Sequence, residues 1–343
     1  MFTNHRKKSV VTWFGRTYLG RIIIASILIV VVQVTFIWLT IVLPYQSEQR
    51  IAEKIEAYGG ASWSRYIGPG WIPQSLRSRF PVFDRIYNVS LSIDPDSDRL
   101  PAKKIPQELI FELGTLHRLI WLGLNDIHVT DAGPEHWGGL KNNLKELYLR
   151  NSQITNAGVY HISKLTNLTD LWLCGTHIDD DGLKHLKELT NLEALVLYNT
   201  QVTDAGLKNL QELTWLKHLD LDSTRISKLG LESIKSLTGL EILDLNGTQI
   251  TGDGLEHLKG LTKLWHLKLS KSQITDTGLV KLTELSKLGK LELNNTQVTD
   301  AGLETLKTMT SLWQLQLDDT QTTTAGREML RKALPQCEIQ PYP

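Results

Sequence analysis

The stretch LEALVLYNTQVTDAGLKNLQELTW, residues 192–215, contains the pattern that decides the fold. It opens with Leu-x-x-Leu-x-Leu, and segments with this opening recur every 24 residues without a slip. Their first residues are Leu144, Leu168, Leu192, Leu216, Leu240, Leu264, Leu288 and Leu312. A fixed period of this length indicates stacked structural repeats, in which each repeat buries its apolar face against its neighbours.

A single repeat predicts one strand followed by one short helix. In residues 192–215 the alternation around Leu195 and Leu197 is typical of a strand with both leucines on one face. Val202 is predicted to be a buried plug after the turn. Thr203 or Asp204 is placed to cap a helix, because a side-chain oxygen there accepts hydrogen bonds from free first-turn N–H groups. Apolar residues three positions apart then predict the buried side of the helix: Leu207, Leu210 and Leu213.

The full consensus, LxxLxLxxTxITDxGLxxLxxLTx, is that of leucine-rich repeats and resembles the membrane-anchored leucine-rich repeat proteins of planctomycete bacteria. The run ALPQCEI (residues 333–339) resembles the closing strand of that family, and IEAYGG (residues 55–60) resembles its linker. The resemblance implies an α/β solenoid shaped as a horseshoe. Its parallel sheet would line the concave side, and its helices would lie on the convex side.

An apolar run near the N-terminus predicts a membrane anchor. Residues 22–43, IIIASILIVVVQVTFIWLTIVL, contain no charged side chain and span about 33 Å as a helix at about 1.5 Å per residue. A cleaved signal peptide is the alternative, but the run is longer than usual for one and no small-x-small cleavage site follows it. Only Arg50 and Lys54 are basic in the near C-terminal flank, whereas five basic residues precede the run: Arg6, Lys7, Lys8, Arg16 and Arg21. The positive-inside rule therefore places the repeats outside the cytoplasm.

These features divide the chain into four expected regions. They are a basic cytoplasmic tail (residues 1–21), a transmembrane anchor (22–43), a juxtamembrane linker region (44–84) and a leucine-rich repeat domain (85–343). The expected location is the inner membrane of a bacterial cell, as a single-pass protein. The lipid bilayer is thus one expected partner, through residues 22–43.

Composition and motifs argue against several classes of function. Lys plus Arg equals Asp plus Glu, at 37 each, so no excess of charge favours nucleic acid. Two cysteines, Cys174 and Cys337, are too few for a disulfide framework or a zinc pattern. No HExxH, GxSxG or phosphate-binding loop is present, and Asp179–Asp181 occupies the helix-capping position of neighbouring repeats. We therefore expect no catalytic residue, no metal, no cofactor and no enzymatic activity.

The outward-facing strand positions predict a candidate partner-binding concave face. Exposed aromatic side chains in a row are typical of binding hot spots, although aromatic rings on a parallel sheet can also simply cover neighbouring strands. The predicted face comprises Trp121, Tyr148, Trp172, Val196, Tyr198, Asp220, Asp222, Asp244, Trp265, Lys268 and Trp313.

The favoured function is recognition of an unknown protein partner, or scaffolding, on the extracytoplasmic side of the membrane. The alternative is binding of a carbohydrate or envelope polymer, with Trp121, Tyr148 and Trp172 as stacking platforms for sugar rings. The sequence does not decide between these two hypotheses.

Overall fold

A computed structural model describes residues 22, 25–91 and 105–341. These residues fall into two compact units. The N-terminal unit contains residues 22, 25–53 and 64–85, and the repeat unit contains residues 54–63, 86–91 and 105–341. The predicted cytoplasmic tail, residues 1–21, lies outside the described part of the chain.

The N-terminal unit begins with helix α1 (Ala25–Ala57), which is long and apolar enough to cross a membrane. The helix contains one π-helical turn, Trp38–Val42, in which the N–H of Leu43 donates to the carbonyl of Trp38. This turn lies directly before Pro44, which has no N–H to continue the regular pattern. Two short 3₁₀ helices follow in the same unit, Gln74–Arg79 and Pro81–Phe83. Helix α1 therefore extends beyond the predicted anchor, through the polar segment that follows it.

One sheet runs through the repeats, and the order of its strands is the order of the chain. From β2 onward each strand pairs with the next in parallel, and the central leucines are aligned in one row that is at most 1% exposed. The strands are β1 (Ala61–Tyr66), β2 (Asp84–Ser90), β3 (Trp121–Gly123), β4 (Glu146–Tyr148), β5 (Asp170–Trp172), β6 (Ala194–Val196), β7 (His218–Asp220), β8 (Ile242–Asp244), β9 (His266–Lys268), β10 (Lys290–Glu292), β11 (Gln314–Gln316) and β12 (Glu338–Gln340).

Short helices return the chain from one strand to the next. The α-helices are α2 (Gln107–Glu112), α3 (Ala132–Glu135), α4 (Asn156–Ile162), α5 (Asp180–Leu186), α6 (Asp204–Leu207), α7 (Lys228–Ile234), α8 (Asp276–Leu279), α9 (Asp300–Leu306) and α10 (Thr324–Ala333). The 3₁₀ helices are Leu113–Thr115, Trp137–Leu140, Lys208–Leu210, Gly252–Leu258 and Val280–Leu282. The predicted solenoid of leucine-rich repeats is confirmed.

The turns after strands β5 to β11 are each closed by a hydroxyl group. Thr200 is buried, and its Oγ1 donates to the carbonyl oxygen of Leu197 at 2.6 Å. The same bond recurs in neighbouring repeats, for example from Thr248 to Leu245 and from Thr296 to Leu293. The threonine column is therefore part of the turn structure, because each hydroxyl satisfies a carbonyl that the strand leaves free.

A second column of polar side chains, which we call the cap ladder, joins most of the repeats to the next. Thr203 caps α6 by accepting from the N–H of Ala205 at 3.3 Å, as predicted. Asp204 instead bridges to the following repeat, where its carboxylate accepts from the N–H of Ser227 at 2.8 Å and from the hydroxyl of Ser227 at 2.5 Å. Equivalent pairs in other repeats are Asp131–Thr155, Asp180–Thr203, Asp276–Thr299 and Asp300–Thr323.

Both ends of the sheet differ from the regular repeats. Strand β12 pairs with β11 as the predicted closing strand. The guanidinium of Arg331 on α10 donates to the carbonyls of Ile339 and Pro341, at 3.0 and 2.8 Å. At the other end, β1 lies inside the region expected to be a linker. The sequence did not predict strand β1.

We expect Asp204→Ala to destabilise the repeat unit by about 1–3 kcal/mol, because the half-buried N–H and hydroxyl of Ser227 lose their shared acceptor. Denaturant unfolding of the full-length protein in detergent, followed by circular dichroism, measures this loss. The control is Lys228→Ala, at the equivalent position of the next repeat, where only an exposed ion pair with Glu256 is removed and the cost should stay below about 1 kcal/mol. Equal losses for both variants would contradict a structural role for the cap ladder.

Candidate functional site

The face of the sheet opposite the leucine core carries two aligned rows of outward side chains, and we call it the concave face. In the first row, Glu146, Asp170 and Ala194 occupy consecutive strands in register. In the second row, Tyr148, Trp172, Val196, Asp220, Asp244 and Lys268 do the same. Tyr198 and Asp222 lie two residues beyond the second row, in the turns after their strands.

Four aromatic side chains form a continuous run on strands β1 to β5. The ring centroids of Trp63 and Trp121 lie 6.4 Å apart in an edge-on arrangement. Trp121 is 5.4 Å from Tyr148, and Tyr148 is 5.0 Å from Trp172, with tilted rings. Trp121, Tyr148 and Trp172 are half-buried, and Trp63 is 46% exposed. This aromatic run is therefore both a packed layer and an accessible apolar surface.

Glycine at position 123 shapes the start of the aromatic run. A Cβ atom there would lie 2.5 Å from Cη2 of Trp121, so the indole of Trp121 covers the space that a side chain would fill. Because the indole covers that space, it comes within 5.4 Å of the Tyr148 ring on the next strand. The residue type at Gly123 thus permits the continuity of the run.

The two tyrosines of the predicted face are neutral hydrogen-bonding groups. The hydroxyl of Tyr148 donates to Oε2 of Glu146 at 2.9 Å. Burial, together with this carboxylate, raises the pKa of Tyr148 to about 12. Burial also raises the pKa of Tyr198 to about 12, with a further contribution from the thiol of Cys174. Both rings therefore retain their protons at any physiological pH.

The aromatic run ends at β6, where the outward side chains are small and covered. Val196 is 1% exposed and Ala194 is 9% exposed. Val196 is one of the residues that the sequence predicts for the partner-binding face. Its position in the outward row is as expected, but its side chain offers almost no surface to a partner.

The centre of the concave face is a charged area on β7 to β9. Asp244 is 3% exposed, and its Oδ2 lies 2.7 Å from Nζ of Lys268. Asp220, one strand earlier, accepts from the N–H of Asp222 at 2.9 Å, but it forms no ion pair with a basic side chain among the described residues. Burial raises the pKa of Asp220 to about 6, and the neighbouring carboxylate of Asp244 adds to the shift. The ionised carboxylate of Asp220 therefore opposes folding, because it is partly buried and forms no ion pair with a basic side chain among the described residues.

A second group of contacting polar side chains lies farther along the face. The sequence did not predict these contacts. Nε2 of His266 is 2.8 Å from Oε1 of Glu292, and Nζ of Lys290 is 3.3 Å from the same oxygen. Burial alone would raise the pKa of Glu292, but the hydrogen bond and charge of His266 together with Lys268 lower it. His266 and Glu292 occupy diagonal positions on adjacent strands, which is the signal that could have indicated their contact.

Trp265 and Trp313 form a separate aromatic pair, which we call the rim pair. They precede β9 and β11 by one residue, so they lie at the edge of the sheet beside the concave face. Their ring centroids are 6.3 Å apart and nearly parallel, and Trp313 is 48% exposed. A Cβ atom at Gly289 would lie 2.2 Å from Nε1 of Trp313. Four strand spacings, about 19 Å, separate the rim pair from Trp172 along the sheet.

Groups suited to metal or nucleophilic chemistry are not assembled in the described ranges. Within residues 25–91 and 105–341, no three His, Cys, Asp or Glu side chains lie together as a metal site. Cys174 and Cys337 are free and buried, and burial raises the pKa of both thiols. Raised thiol pKa values disfavour the reactive thiolate. The Asp179–Asp181 segment caps α5, with Asp179 accepting from the N–H of Asp181 at 2.9 Å.

Comparison with known families agrees with this geometry. One leucine-rich repeat family model matches residues 214–274, and a second matches residues 141–163. The repeat unit therefore folds as a leucine-rich repeat solenoid. Proteins of this class are typically binding scaffolds rather than enzymes, and their repeat domains generally mediate protein–protein interaction.

Solved leucine-rich repeat structures resemble the chain over most of its length. An internalin (inlF) of Listeria monocytogenes is 19% identical over 71% of this chain and 92% of its own, with a TM-score of 0.43. Internalin C2 of the same organism is 26% identical over 61% and 83%, with a TM-score of 0.49. A leucine-rich repeat protein of Leptospira interrogans is 21% identical over 67% and 80%, with a TM-score of 0.34. No curated protein matches the chain significantly.

We expect Asp220→Asn to stabilise this leucine-rich repeat protein at pH 7.5 but not at pH 4. The folded-state pKa of about 6 exceeds the ordinary value of 3.8, so the native state binds the extra proton and stability falls as pH rises between these values. With partial exposure discounted, the gain at neutral pH is roughly 1–2 kcal/mol. Thermal unfolding at both pH values measures it. Glu212→Gln, an exposed carboxylate replaced in the same way, is the control, and a gain for Asp220→Asn that is independent of pH would contradict the assignment.

Proposed function

We propose that this leucine-rich repeat protein is anchored in the inner membrane of a bacterium and recognises a protein partner outside the cytoplasm. The observation that carries the proposal is the aromatic run together with the half-buried carboxylate of Asp220, two strands farther along the same face. Accessible aromatic rings beside a desolvated charge are the composition of interface hot spots. The resemblance of the repeat consensus and linker to planctomycete membrane-anchored proteins supports the same placement.

The apolar part of α1 supports the anchor. Its most apolar 18-residue window has no side chain buried against protein, which would be unfavourable for an isolated helix in water. The hydroxyls of Thr35 and Thr40 donate to the carbonyls of Val31 and Phe36, at 2.7 and 2.6 Å. Both polar groups are thereby satisfied inside the helix, as a hydrocarbon environment requires.

The chemistry of the concave face indicates what the partner presents. An apolar or aromatic side chain fits against Trp172 and the rings before it. A lysine or arginine of the partner would pair with Asp220 and Asp222, because these carboxylates form no ion pair with a basic side chain among the described residues. Binding such a cation relieves the cost that burial imposes on the Asp220 carboxylate. We infer a partner segment in which a basic residue neighbours an apolar one.

The anchor and the distribution of basic residues predict the orientation of the chain. Five Lys and Arg residues precede residue 22, against two in the near C-terminal flank, so a reporter fused after Pro343 should lie outside the cytoplasm. A fusion to alkaline phosphatase, which is active only outside, and a matched fusion to green fluorescent protein, which is fluorescent only inside, measure this. If the green fluorescent protein fusion is fluorescent and the alkaline phosphatase fusion is inactive, the repeats lie in the cytoplasm and the proposed orientation is wrong.

We expect the double variant Tyr148→Ala, Trp172→Ala to keep its fold and lose its partner. Truncation of a hot-spot aromatic costs about 2 kcal/mol or more in binding, which corresponds to at least a tenfold weaker complex. Photo-crosslinking in cells, from a photoreactive residue at position 194 between the two areas, identifies the captured protein and compares the variant with wild type. Circular dichroism checks that both are folded.

The matched control for this experiment is the double variant Trp215→Ala, Leu229→Ala. These side chains are 67% and 63% exposed and lie outside the concave face, so capture should remain unchanged. Unchanged capture by the Tyr148–Trp172 variant, together with a large fall in its melting temperature, would show that the aromatic run serves packing alone. Capture that free sugars abolish would instead identify a glycan as the ligand.

A further inference from the structure

The N-terminal unit exposes a cluster of large apolar side chains that the recognition of a partner by the repeats does not use. Trp71 is 80% exposed, Ile67 and Phe80 are each 42% exposed, and Leu76 is 38% exposed. All four lie within residues 64–85, a segment that we call the collar. Scattered single apolar residues are common on protein surfaces, but four large exposed ones within fourteen consecutive residues are a local concentration that calls for an explanation.

One buried arginine fixes the collar to helix α1. The side chain of Arg85 is 7% exposed, and its Nη2 donates to the carbonyl oxygen of Ile41 at 3.0 Å. Its Nε lies 3.6 Å from Oε1 of Glu48, which is itself 12% exposed. Nη1 donates to the carbonyl of Val82 at 2.8 Å. A single guanidinium therefore binds both the helix and the returning collar.

The position of this contact along α1 sets the depth of the collar in a membrane. Ile41 is two residues before the end of the apolar run at Leu43, which corresponds to about 3 Å along the helix axis. The 3₁₀ helix Pro81–Phe83 also packs beside the π-helical turn Trp38–Val42. If residues 22–43 cross the hydrocarbon core, the collar is held at the boundary between the acyl chains and the headgroups.

The composition of the collar suits that boundary. Tryptophan and other aromatic residues are enriched at membrane interfaces, where an apolar ring can be buried next to polar groups. Asp84 is the single acidic residue among residues 64–85. Arg65, Arg77 and Arg79 form no ion pair within the described residues, and the guanidinium of Arg77 lies 4.8 Å from the centre of the Tyr66 ring. The excess of positive charge complements anionic lipid headgroups.

We propose that the collar inserts into the interface of the bilayer that α1 crosses, with Trp71, Phe80, Ile67 and Leu76 in the acyl boundary and the arginines at the lipid phosphates. This inference rests on the anchoring part of the proposed function and does not depend on the partner of the concave face. The occupant of the exposed patch is the lipid surface, since the patch is joined to the membrane helix by Arg85 and carries charge opposite to that of anionic lipids. The repeats then begin from a segment that is attached to the membrane at two places.

The depth of single spin labels in the full-length protein tests the inference. A noncanonical spin-labelled residue is placed at position 31 in the apolar helix, at position 71 in the collar or at position 215 in the repeats. The protein is reconstituted in vesicles of phosphatidylcholine and phosphatidylglycerol. Collision with oxygen reports the acyl region and collision with a water-soluble nickel chelate reports water. We expect position 31 to be deep, position 215 to be aqueous and position 71 to lie about 5–10 Å into the interface.

The three positions separate the possible outcomes. If the label at position 71 is as exposed to water as the label at position 215, while position 31 remains deep, the collar does not insert into the membrane. The anchor is then unaffected. An aqueous label at position 31 overturns the anchor itself. Protection of position 71 from both oxygen and nickel shows that protein, rather than lipid, covers the patch, and this also overturns the inference.

A charge variant supplies a second, independent readout. Arg77→Gln together with Arg79→Gln should shift the label at position 71 toward water in vesicles that contain phosphatidylglycerol. The variant should differ little from wild type in pure phosphatidylcholine, where the headgroups carry no net charge. The control Arg150→Gln lies in the repeats and should leave the depth unchanged. An equal effect of Arg77→Gln, Arg79→Gln in both lipids would contradict a role for these arginines in contacting anionic headgroups.

Discussion

The bond on which the repeat unit most depends joins the carboxylate at the start of one helix to the cap of the next helix. Asp180, for example, accepts from both the N–H and the hydroxyl of Thr203, at 2.8 and 2.6 Å, 23 residues later in the chain. Because two bonds to one residue fix both distance and direction, consecutive repeats cannot slip against each other. The leucine core supplies the burial energy but is similar in every repeat, so it specifies register less strongly. Where the cap ladder is present, it holds the outward rows of the concave face in this register.

The cap ladder is interrupted in the middle of the array, and other contacts join the repeats there. Lys228 and Gly252 occupy the positions of the bridging carboxylate, and Thr251 and Thr275 make no side-chain cap bond. The backbone approaches closely instead, since a Cβ atom at Gly278 would lie 2.5 Å from Cα of Gly252. On the opposite face, the buried pair Asp244–Lys268 joins the same two repeats at 2.7 Å. The charged area through which we propose that a partner is recognised therefore also joins these two repeats.

The fold could be predicted from the sequence because each repeat confirms the others, whereas the site could be predicted only in outline. Periodicity places Val196 and Asp244 in an outward row, but exposure depends on the neighbours, and both are buried. The route of the Trp121 indole depends on the absence of a side chain at Gly123. Before the repeats there is no period, so strand β1 and the bond from Arg85 to Ile41, across 44 residues, had no local signal. Long-range contacts between unique side chains are what pattern reasoning cannot supply.

Asp220 connects the stability of the repeat unit with the partner recognition that we propose. A half-buried carboxylate with a pKa of about 6 opposes folding at neutral pH, and replacement by an amide would remove that cost. A solenoid can accommodate it because the stability of each repeat is supported by both neighbours. The adjacent ion pairs show that the same sheet neutralises Asp244 with Lys268 and Glu292 with Lys290. Among the described residues Asp220 forms no ion pair, although the charge of Lys268 acts on it from farther away. In the proposed function a cation from outside the chain would supply the direct partner.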